Sequence, residues 1–256
     1  INTLITCMRR MFPEDDTISV FAPTGAAAFN ARGQTLHAGL LLPRITNSLA
    51  LSSDKQKELM KRYKRTLAIV IDERSMLDAT ILGTIKHYMQ QCAHGGMNNK
   101  HPWGGIPIII LVGDDYQLPS IHPGAFYAQD PGQLKSPDNL VVLTLRNQGF
   151  QEFLAIGERV ISLDGEKRVN EEQDIFRRIL RASCCEDESE SFIEEDKQRL
   201  LELHLNHPSF ADTERKQILD EALYIFAKKE PRDNLNSLKL KRVHSKDNPV
   251  ARIKSV

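Results

Sequence analysis

The stretch LAIVIDERSMLD, residues 67–78, runs from a short apolar segment directly into Asp72 and Glu73. Near-continuous apolar runs of this length, rich in Ile and Val, are typical of a strand that is covered on both faces of a parallel sheet. Two adjacent carboxylates at the end of such a strand are unfavourable unless a group of opposite charge binds them. The stretch therefore predicts a buried strand that ends at a cation site.

Similar apolar runs recur along the chain, and helical stretches separate them. We predict strands over residues 17–22, 67–72, 106–113, 140–145 and 222–227. We predict helices over about residues 2–12, 51–65, 78–93, 150–163, 171–181, 192–205 and 211–221. This alternation is typical of an α/β fold in which helices flank a parallel sheet and connect its strands. Strands are dense up to residue 145 and the region after it is mostly helical and charged, so we predict a domain boundary there.

The composition is that of a globular chain, because 41% of the 256 residues are hydrophobic and can form a substantial core. No apolar run approaches the roughly 18 residues that a membrane span requires, so we expect no membrane partner. The four cysteines form no CxxC pair, which favours reduced thiols in an intracellular setting and argues against zinc.

Charge is balanced overall but unevenly distributed. Lys plus Arg and Asp plus Glu are both 34, so the net charge neither favours nor excludes a polyanionic partner. Residues 55–65 carry six basic side chains against one acidic, residues 228–254 carry nine against three, and residues 186–196 are almost wholly acidic. The two basic segments are candidate phosphate contacts, with a solvated helix face or a loop as the alternative.

Polar residues follow three of the predicted strands. APTGAAAFNARGQTLH, residues 22–37, follows the first strand, Asp72 and Glu73 follow the second, and GDDYQLP, residues 113–119, follows the third. Ligands of parallel sheets bind beyond the carboxyl ends of the strands, which lie at one edge. We therefore expect these three segments to form one composite site.

The carboxylate pair and the GDDYQLP segment have residues suited to phosphate chemistry. Asp72 could hold a hydrated Mg²⁺ ion while Glu73 orients and deprotonates an attacking water, because Mg²⁺ prefers oxygen ligands and retains water. The uncharged amide of Gln117 could hydrogen-bond a terminal phosphate or that water. The alternatives are two solvated acids at a strand end and an ordinary turn closed by Asp and Pro.

The first polar segment suits a single nucleic-acid strand. Its turns, hydroxyls, helix amides and aromatic side chain can contact a phosphate backbone and bases without reading a sequence. The candidate DNA-binding residues are Pro23, Thr24, Gly25, Phe29, Asn30, Thr35 and His37. Tight packing of helix on sheet through small residues is the alternative.

Taken together and in this order, the segments resemble the superfamily-one DNA helicases of the PIF (petite integration frequency) type. FAPTGAAAFNARGQTLHAGL resembles their motif Ia, LAIVIDERSMLD their Walker B motif and GGIPIIILVGDDYQLPSI their motif III. LVVLTLRNQGFQEFLAIGERV is similar to motif IV, and ALYIFAKKEPRDNLN to the strand and helix that follow it. The resemblance implies a RecA-like P-loop NTPase core, with residues 1–145 as the first motor domain and residues 146–256 as an incomplete second one.

The resemblance also implies roles for individual residues, with ATP and Mg²⁺ as cofactors. Asp72 would be the magnesium ligand, Glu73 the catalytic base and Gln117 the sensor of the γ-phosphate, with Asp114 beside it in the nucleotide site. Arg146 would be the arginine finger of motif IV, delivered from the second domain when the cleft closes. A surface arginine after a strand is the alternative for Arg146.

The chain departs from the family pattern at several positions. The family usually has Ile or Val in place of Arg74, Phe in place of Asp115, a second Pro in place of Ser120 and Gln in place of Asn147. Arg74 could pair with one of the neighbouring carboxylates. The GxGK[ST] phosphate loop is absent from the sequence.

We expect the chain to be a fragment that begins after the phosphate loop, since it starts with Ile1 and not Met, and that lacks motifs V and VI. We expect negligible ATPase activity from these residues alone.

The function implied by the resemblance is that of an ATP-dependent 5′-to-3′ DNA helicase that unwinds duplex DNA in DNA repair, recombination or telomere maintenance. Its partners would be single-stranded DNA and duplex junctions, and it would act as a monomeric motor in the nucleus or the mitochondrion. One alternative is a non-catalytic single-stranded-DNA-binding or interaction module derived from a mobile-element helicase. Another is a different P-loop ATPase, such as a RecD-like nuclease subunit or a relaxase helicase domain.

Overall fold

A computed structural model describes residues 1–14, 17–43, 50–115, 117, 120, 139–163, 174–184, 193–222, 224 and 229–243. The chain divides into two compact units, Ile1–Asp164 and Gly165–Val256. The predicted boundary at residue 145 lies inside the first unit, and the assignment of two motor domains stays a prediction. Within the described ranges, no helix has the length and apolar character needed to cross a bilayer.

The first unit is built on a four-stranded parallel sheet. Its strands are β1 (Ile18–Ala22), β2 (Gln34–Thr35), β3 (Ala68–Ile71) and β4 (Ile108–Leu111). Their order across the sheet is β2-β1-β3-β4, and every neighbouring pair is parallel. The first three predicted strands are confirmed as β1, β3 and β4, and so is the α/β class with a parallel sheet. The two-residue strand β2 was not predicted, because it is too short to show a periodic pattern.

Helices cover both faces of this sheet. They are α1 (Asn2–Met11), α2 (Gly25–Asn30), α3 (Leu36–Gly39), α4 (Ser53–Arg62), α5 (Ala79–Cys92) and α6 (Leu140–Gly157). Short 3-10 helices span Arg74–Met76, Ala93–Gly96 and Pro102–Gly105. The predicted helices over residues 2–12, 51–65 and 78–93 are thus confirmed as α1, α4 and α5.

Strand β3 divides the apolar core into two clusters, as expected for a strand whose side chains alternate between faces. Ile69 and Ile71 pack with the buried side chains of α4 and α5. Ala68 and Val70 pack in the second cluster with the buried side chains of α1. All four β3 residues are fully buried, which explains the uninterrupted apolar run.

The predicted strand over residues 140–145 is wrong, because these residues form the first turns of α6. The Asn139 side chain accepts a hydrogen bond from the Val141 amide at 2.8 Å and so caps the start of this helix. Leu145 and Gly149 are buried in the same helix. Capping and tertiary packing therefore override the strand propensity of the β-branched residues in this run.

A polar network fixes α6 to α5 and to the 3-10 helix Pro102–Gly105. The Glu152 carboxylate in α6 accepts a hydrogen bond from Trp103 Nε1 at 2.8 Å and forms an ion pair with Lys86 of α5. The side chains of Lys86 and Glu152 are each less than one fifth exposed. Such a pair holds the helix in one position, since losing either member would leave a largely buried charge without its partner.

The described residues of the second unit form four helices. They are α7 (Asp174–Cys184), α8 (Glu194–Glu202), α9 (Asp212–Glu221) and α10 (Lys229–Val243). The predicted helices over residues 171–181, 192–205 and 211–221 are confirmed as α7, α8 and α9. Most of the predicted strand over residues 222–227 lies outside the described residues.

An ion pair joins α7 to α8 within this unit. Arg178 donates a hydrogen bond to the fully buried Asp196 at 2.7 Å and a second one to the exposed Glu195. Asp196 also accepts a hydrogen bond from the Ile193 amide at the start of α8. The hydrogen bond from Arg178 lowers the pKa of Asp196, and the amide hydrogen bond acts in the same direction.

Candidate functional site

The parallel sheet brings the three polar segments to one edge. Because β2, β1, β3 and β4 are adjacent and all run in the same direction, their carboxyl ends lie side by side. Asp72 directly follows β3, and the Asp72 amide donates to the Phe21 carbonyl of β1 at 2.8 Å. The Val112 amide, just after β4, donates to the Ile71 carbonyl of β3 at 2.8 Å. The predicted convergence of three strand ends is therefore confirmed.

The carboxylate pair lies on a tight turn, which we call the β3 turn (Asp72, Glu73 and the 3-10 helix Arg74–Met76). Glu73 has left-handed backbone angles, with φ 54° and ψ 50°. This conformation is unfavourable for a residue with a side chain by on the order of 1 kcal/mol. The Asp72 carboxylate accepts a hydrogen bond from the Glu73 amide at 3.0 Å, which helps to hold it. Both acids are partly exposed at the sheet edge.

Arg74 pairs with Asp115 and not with its neighbours in sequence. Its guanidinium forms an ion pair with the Asp115 carboxylate, and in the described part of the chain it makes no ion pair with Asp72 or Glu73. The Arg74 amide also donates to the Val112 carbonyl at 2.9 Å. A metal ion would therefore not have to displace the Arg74 guanidinium from the oxygen atoms of Asp72 or Glu73.

The next segment along the edge is the β4 loop, which we define as Gly113, Asp114, Asp115 and Gln117. Asp114 and Gln117 are both exposed. The Gln117 amide donates to the Asp114 carbonyl at 3.2 Å, and the Gln117 side-chain amide lies 3.4 Å from the Asp114 carboxylate. These contacts place Asp114 and Gln117, two of the predicted nucleotide-binding residues, together. The Leu-Pro step that follows lies outside the described residues.

In the motif Ia segment (residues 21–40), two threonines cap two short helices. Thr24 Oγ1 accepts a hydrogen bond from the Ala27 amide in α2 at 3.2 Å, and Thr35 Oγ1 accepts one from the Ala38 amide in α3 at 3.3 Å. Both hydroxyls thus have a structural role as helix N-caps. Thr24 lies two residues after β1 and Thr35 is the last residue of β2, so both helices begin at the same sheet edge.

The packing interpretation of the motif Ia segment is confirmed at Gly33, and the DNA-binding interpretation stays a prediction. A Cβ at Gly33 would lie 2.4 Å from the Val20 carbonyl oxygen of β1, so this glycine allows tight packing on the sheet. By contrast, Phe29 is 83% exposed, and Asn30 and His37 are exposed as well. An exposed phenylalanine at this edge is available for stacking with a base. Pro23 is partly exposed and Gly25 is exposed.

Arg146 lies in a different setting from the one predicted. It belongs to α6 in the first unit, and its side chain is buried. The expectation of a strand end is wrong because α6 begins before it, and the alternative of a surface arginine is wrong because it is only 8% exposed. The role of arginine finger stays a prediction.

Two residues of the basic segment 55–65 have a structural role that the sequence did not indicate. Arg62 donates to the Gly39 carbonyl at 3.0 Å, and the Tyr63 hydroxyl donates to the same oxygen at 2.7 Å. Both thus donate hydrogen bonds to the carbonyl of the last residue of α3, the helix that carries His37. Burial raises the pKa of Tyr63 to about 12, against a smaller opposing effect of Arg62. Arg62 is therefore engaged within the protein.

Several known proteins are similar to this chain in sequence. The family model for PIF1-like helicases matches residues 1–130. The ATP-dependent DNA helicase PIF1 of Emericella nidulans is 38% identical over 114 residues, which are 43% of this chain and 15% of that protein. The ATP-dependent DNA helicase RRM3 of Saccharomyces cerevisiae is 32% identical over 124 residues, which are 47% of this chain and 16% of that protein. The chain thus matches only about one sixth of the length of these curated relatives.

Solved helicase structures share the fold. The crystal structure of Pif1 helicase from Candida albicans superimposes with a TM-score of 0.59 and 21% identity, covering 95% of this chain and 48% of the other. The Pif1 helicase from Bacteroides in complex with ADP-AlF3 and single-stranded DNA gives a TM-score of 0.55 at 21% identity, covering 91% and 49%. The family model spans just over half of the 256 residues. This chain belongs to the PIF1-like helicase family.

Proposed function

We propose that the protein containing this chain is an ATP-dependent DNA helicase that moves 5′ to 3′ along a single strand and unwinds duplex DNA. The observation that carries the proposal is the convergence at one sheet edge of the Asp72–Glu73 pair, the Asp114–Gln117 turn and the start of α2, the helix that carries the exposed Phe29. The names of the curated relatives, which are ATP-dependent DNA helicases, support it.

Glu73 is the residue that we assign as the general base. Glu73 follows β3 on a strained turn, and its amide donates a hydrogen bond to the Asp72 carboxylate. In this position it can orient a water molecule and accept its proton, while Gln117 hydrogen-bonds the terminal phosphate or that water. The proposal assigns no step to Arg146, because its buried side chain in α6 of the first unit does not fit delivery by a second domain.

Asp72 is the residue that we assign to Mg²⁺. The donor set fits a hard cation, because Asp72 and Glu73 offer carboxylate oxygens at a partly exposed edge and Arg74 is paired elsewhere. In the described ranges, no group of three or more His, Cys, Asp or Glu side chains could hold a metal ion. Bound Mg²⁺ would neutralise charge on the transferred phosphate, and nucleotide and water oxygens would supply its other ligands.

The DNA path is proposed to run along the same edge, over the motif Ia segment. Phe29 would stack on a base, and the helix amides of α2 and α3 would face phosphates. The exposed basic residues of α10 are further candidate phosphate contacts, except Lys239, which donates to the Leu219 carbonyl at 2.9 Å. A monomeric motor acting at duplex junctions in genome maintenance, in the nucleus or the mitochondrion, is part of the same proposal.

The test is DNA-stimulated ATP hydrolysis by the full-length natural protein. We expect Glu73→Gln to lower kcat by roughly 100-fold or more, because the general base is lost, while nucleotide binding persists. Glu14→Gln is the matched control, since Glu14 is an exposed acid before β1, at the other end of that strand. Phosphate release and strand displacement on substrates with 5′ or 3′ overhangs are measured.

The same assay separates the proposal from its alternative. The 256 residues contain no GxGK[ST] loop, so we expect this chain alone to bind DNA but to release negligible phosphate. DNA binding by the full-length protein with no DNA-stimulated hydrolysis would favour the non-catalytic module. Full activity in Glu73→Gln would refute the assignment of the base.

A further inference from the structure

In the described part of the chain, at least three contacts tie the β3 turn to the β4 loop and the residues around it. The Arg74 amide donates to the Val112 carbonyl at 2.9 Å, and the Ser120 amide donates to the Ser75 carbonyl at 2.9 Å. The third contact is the ion pair between the side chains of Arg74 and Asp115. It joins residues that are 41 positions apart in the sequence and is the only one of the three that depends on side-chain identity.

We propose that Arg74 is a positioning residue, whose ion pair with Asp115 fixes the β4 loop, with Asp114 and Gln117, against the β3 turn that carries Asp72 and Glu73. The proposal rests on the function proposed above. Arg74 does not act on the substrate in this scheme. It sets the distance between two sets of groups. The first is Asp72 and Glu73, which bind the metal and activate water, and the second is the Gln117 amide, which senses the terminal phosphate.

The packing around Arg74 shows why its side chain can act in this way. Its side chain is 20% exposed and that of Asp115 is 43% exposed, so the pair is partly shielded from water. A Cβ at Gly113 would lie 2.5 Å from Arg74 Cγ and 2.8 Å from the Arg74 amide nitrogen. The arginine stem therefore fills the space that the glycine leaves, and its guanidinium extends across the loop to the carboxylate.

The two partners are also two of the positions at which this chain departs from the family pattern. The family usually has apolar residues at both, and here they carry opposite charges that meet. An ion pair that is partly exposed is weakened by salt, whereas an apolar contact is not. Positioning of the β4 loop in this protein should therefore depend on ionic strength.

The direction of the Arg74 side chain matters for the proposed reaction. Because its guanidinium pairs with Asp115, it makes no ion pair within the described residues with Asp72 or Glu73, whose carboxylates the proposed metal and water require. The geometry thus separates two roles: Arg74 holds the loop, and the two acids serve the chemistry. Misplacement of catalytic groups by about 1 Å is enough to lower catalytic rates strongly, so loss of a loop contact of this kind can lower kcat.

Amide hydrogen exchange at Gln117, measured by NMR on the 256-residue chain, tests the positioning directly. We expect Arg74→Ile and Asp115→Asn each to speed this exchange by about two- to fivefold, the range that corresponds to a partly exposed ion pair. The double variant should be no faster than either single variant, because each removes the same interaction. Arg74→Lys should restore part of the protection.

Arg65→Ile is the matched control, because it removes an arginine from an exposed ion pair with Glu14 just before β3. It should leave the exchange of Gln117 unchanged. High salt should bring the unsubstituted chain towards the rate of Arg74→Ile. Unchanged exchange in both single variants, or effects that simply add in the double variant, would overturn the proposal.

In the full-length protein, Arg74→Ile and Asp115→Asn should lower kcat at least about twofold with little change in the KM for ATP. Normal kcat in both variants, despite faster exchange, would overturn the link to catalysis. Absence of DNA-stimulated hydrolysis in the unsubstituted protein would instead refute the proposed function, and the exchange data would still decide whether the pair holds the loop.

Discussion

Gly83 of α5 lies directly against the backbone carbonyl of Leu145 in α6. A Cβ at Gly83 would be 1.9 Å from that oxygen, far inside van der Waals contact. The relationship is reciprocal, since a Cβ at Gly149 of α6 would be 1.8 Å from the Ala79 carbonyl of α5. Two glycines thus let the backbones of the two helices touch, and this close crossing positions Arg146 in the first unit.

Substitution of either glycine should separate the two helices. We expect Gly83→Ala and Gly149→Ala each to lower the free energy of unfolding by about 1–3 kcal/mol, because the added methyl group meets rigid backbone. Urea unfolding followed by the fluorescence of Trp103, the single tryptophan of the chain, measures this change in the first unit.

Gly157→Ala is the matched control in the same helix. Apart from its chain neighbours and its own helix backbone, no atom of the described residues lies within 4 Å of a Cβ built at this position, so the substitution should be neutral or stabilise by up to about 1 kcal/mol. If Gly83→Ala were as stable as Gly157→Ala, the close helix crossing would be incorrect.

The central strands could be predicted from the sequence because their signal is local. The runs that became β1, β3 and β4 are buried on both faces, so nearly every residue is apolar and the pattern does not depend on distant partners. The position of Asp72, Glu73 and Asp114 at one edge followed from the same reasoning, since parallel strands end together.

Features that depend on contacts between distant residues could not be predicted. The run at 140–145 contains strand-forming residues, and the packing of Gly149 on Ala79, together with the Asn139 cap, shows why it is helical. The pairing of Arg74 with Asp115 likewise joins separate loops, although their common departure from the family pattern could have indicated it. The bonds from Arg62 and Tyr63 to Gly39 had no signal in the sequence beyond a basic run.

Phe29 provides a test of the DNA path. We expect Phe29→Ala to raise the Kd for single-stranded DNA at least about fivefold, because loss of one base-aromatic stack costs about 1–3 kcal/mol. The side chain is 83% exposed, so the free energy of unfolding should change by less than about 0.5 kcal/mol. Fluorescence anisotropy with a labelled oligonucleotide at fixed salt measures the affinity.

Met97→Ala is the control for this substitution. Met97 is 81% exposed and lies on the connection between α5 and β4, away from the motif Ia segment in sequence and topology. It should leave the Kd unchanged. Equal affinities of both variants and the unsubstituted chain would rule out stacking on Phe29.

Tyr63 should make the stability of the first unit sensitive to high pH. Its pKa in the folded chain is about 12, raised by burial from the usual 10.0. The neutral hydroxyl is thus favoured by folding, and its contribution is fully present below pH 10 and lost as the pH rises towards 12. Tyr63→Phe should cost about 1 kcal/mol at neutral pH, through loss of the bond to Gly39, and should flatten the decline between these pH values.

The measurement is urea unfolding followed by Trp103 fluorescence from neutral pH to about pH 12, compared between variants because other groups titrate in the same range. Tyr224→Phe is the control, since it also removes a bond from a hydroxyl to a carbonyl, at Leu219, but in the second unit. If the free energies of unfolding of Tyr63→Phe and of the unsubstituted chain fell in parallel as the pH rises, the assigned role of Tyr63 would be contradicted.

Asp196 should make the α7–α8 pair sensitive to acid. Since the hydrogen bond from Arg178 lowers its pKa below the usual value, the stabilisation is fully present above about pH 3.9 and is lost as the pH falls through the lower pKa of the folded state. Asp196→Asn should destabilise these helices at neutral pH, and the difference from the unsubstituted chain should narrow below about pH 4. Amide exchange in α7 and α8 as a function of pH measures this difference in stability.

Asp212→Asn is the control, since its side chain is 98% exposed, and it should have little effect at any pH. A difference for Asp196→Asn that stayed constant down to the acid limit would show that its charge does not stabilise the pair.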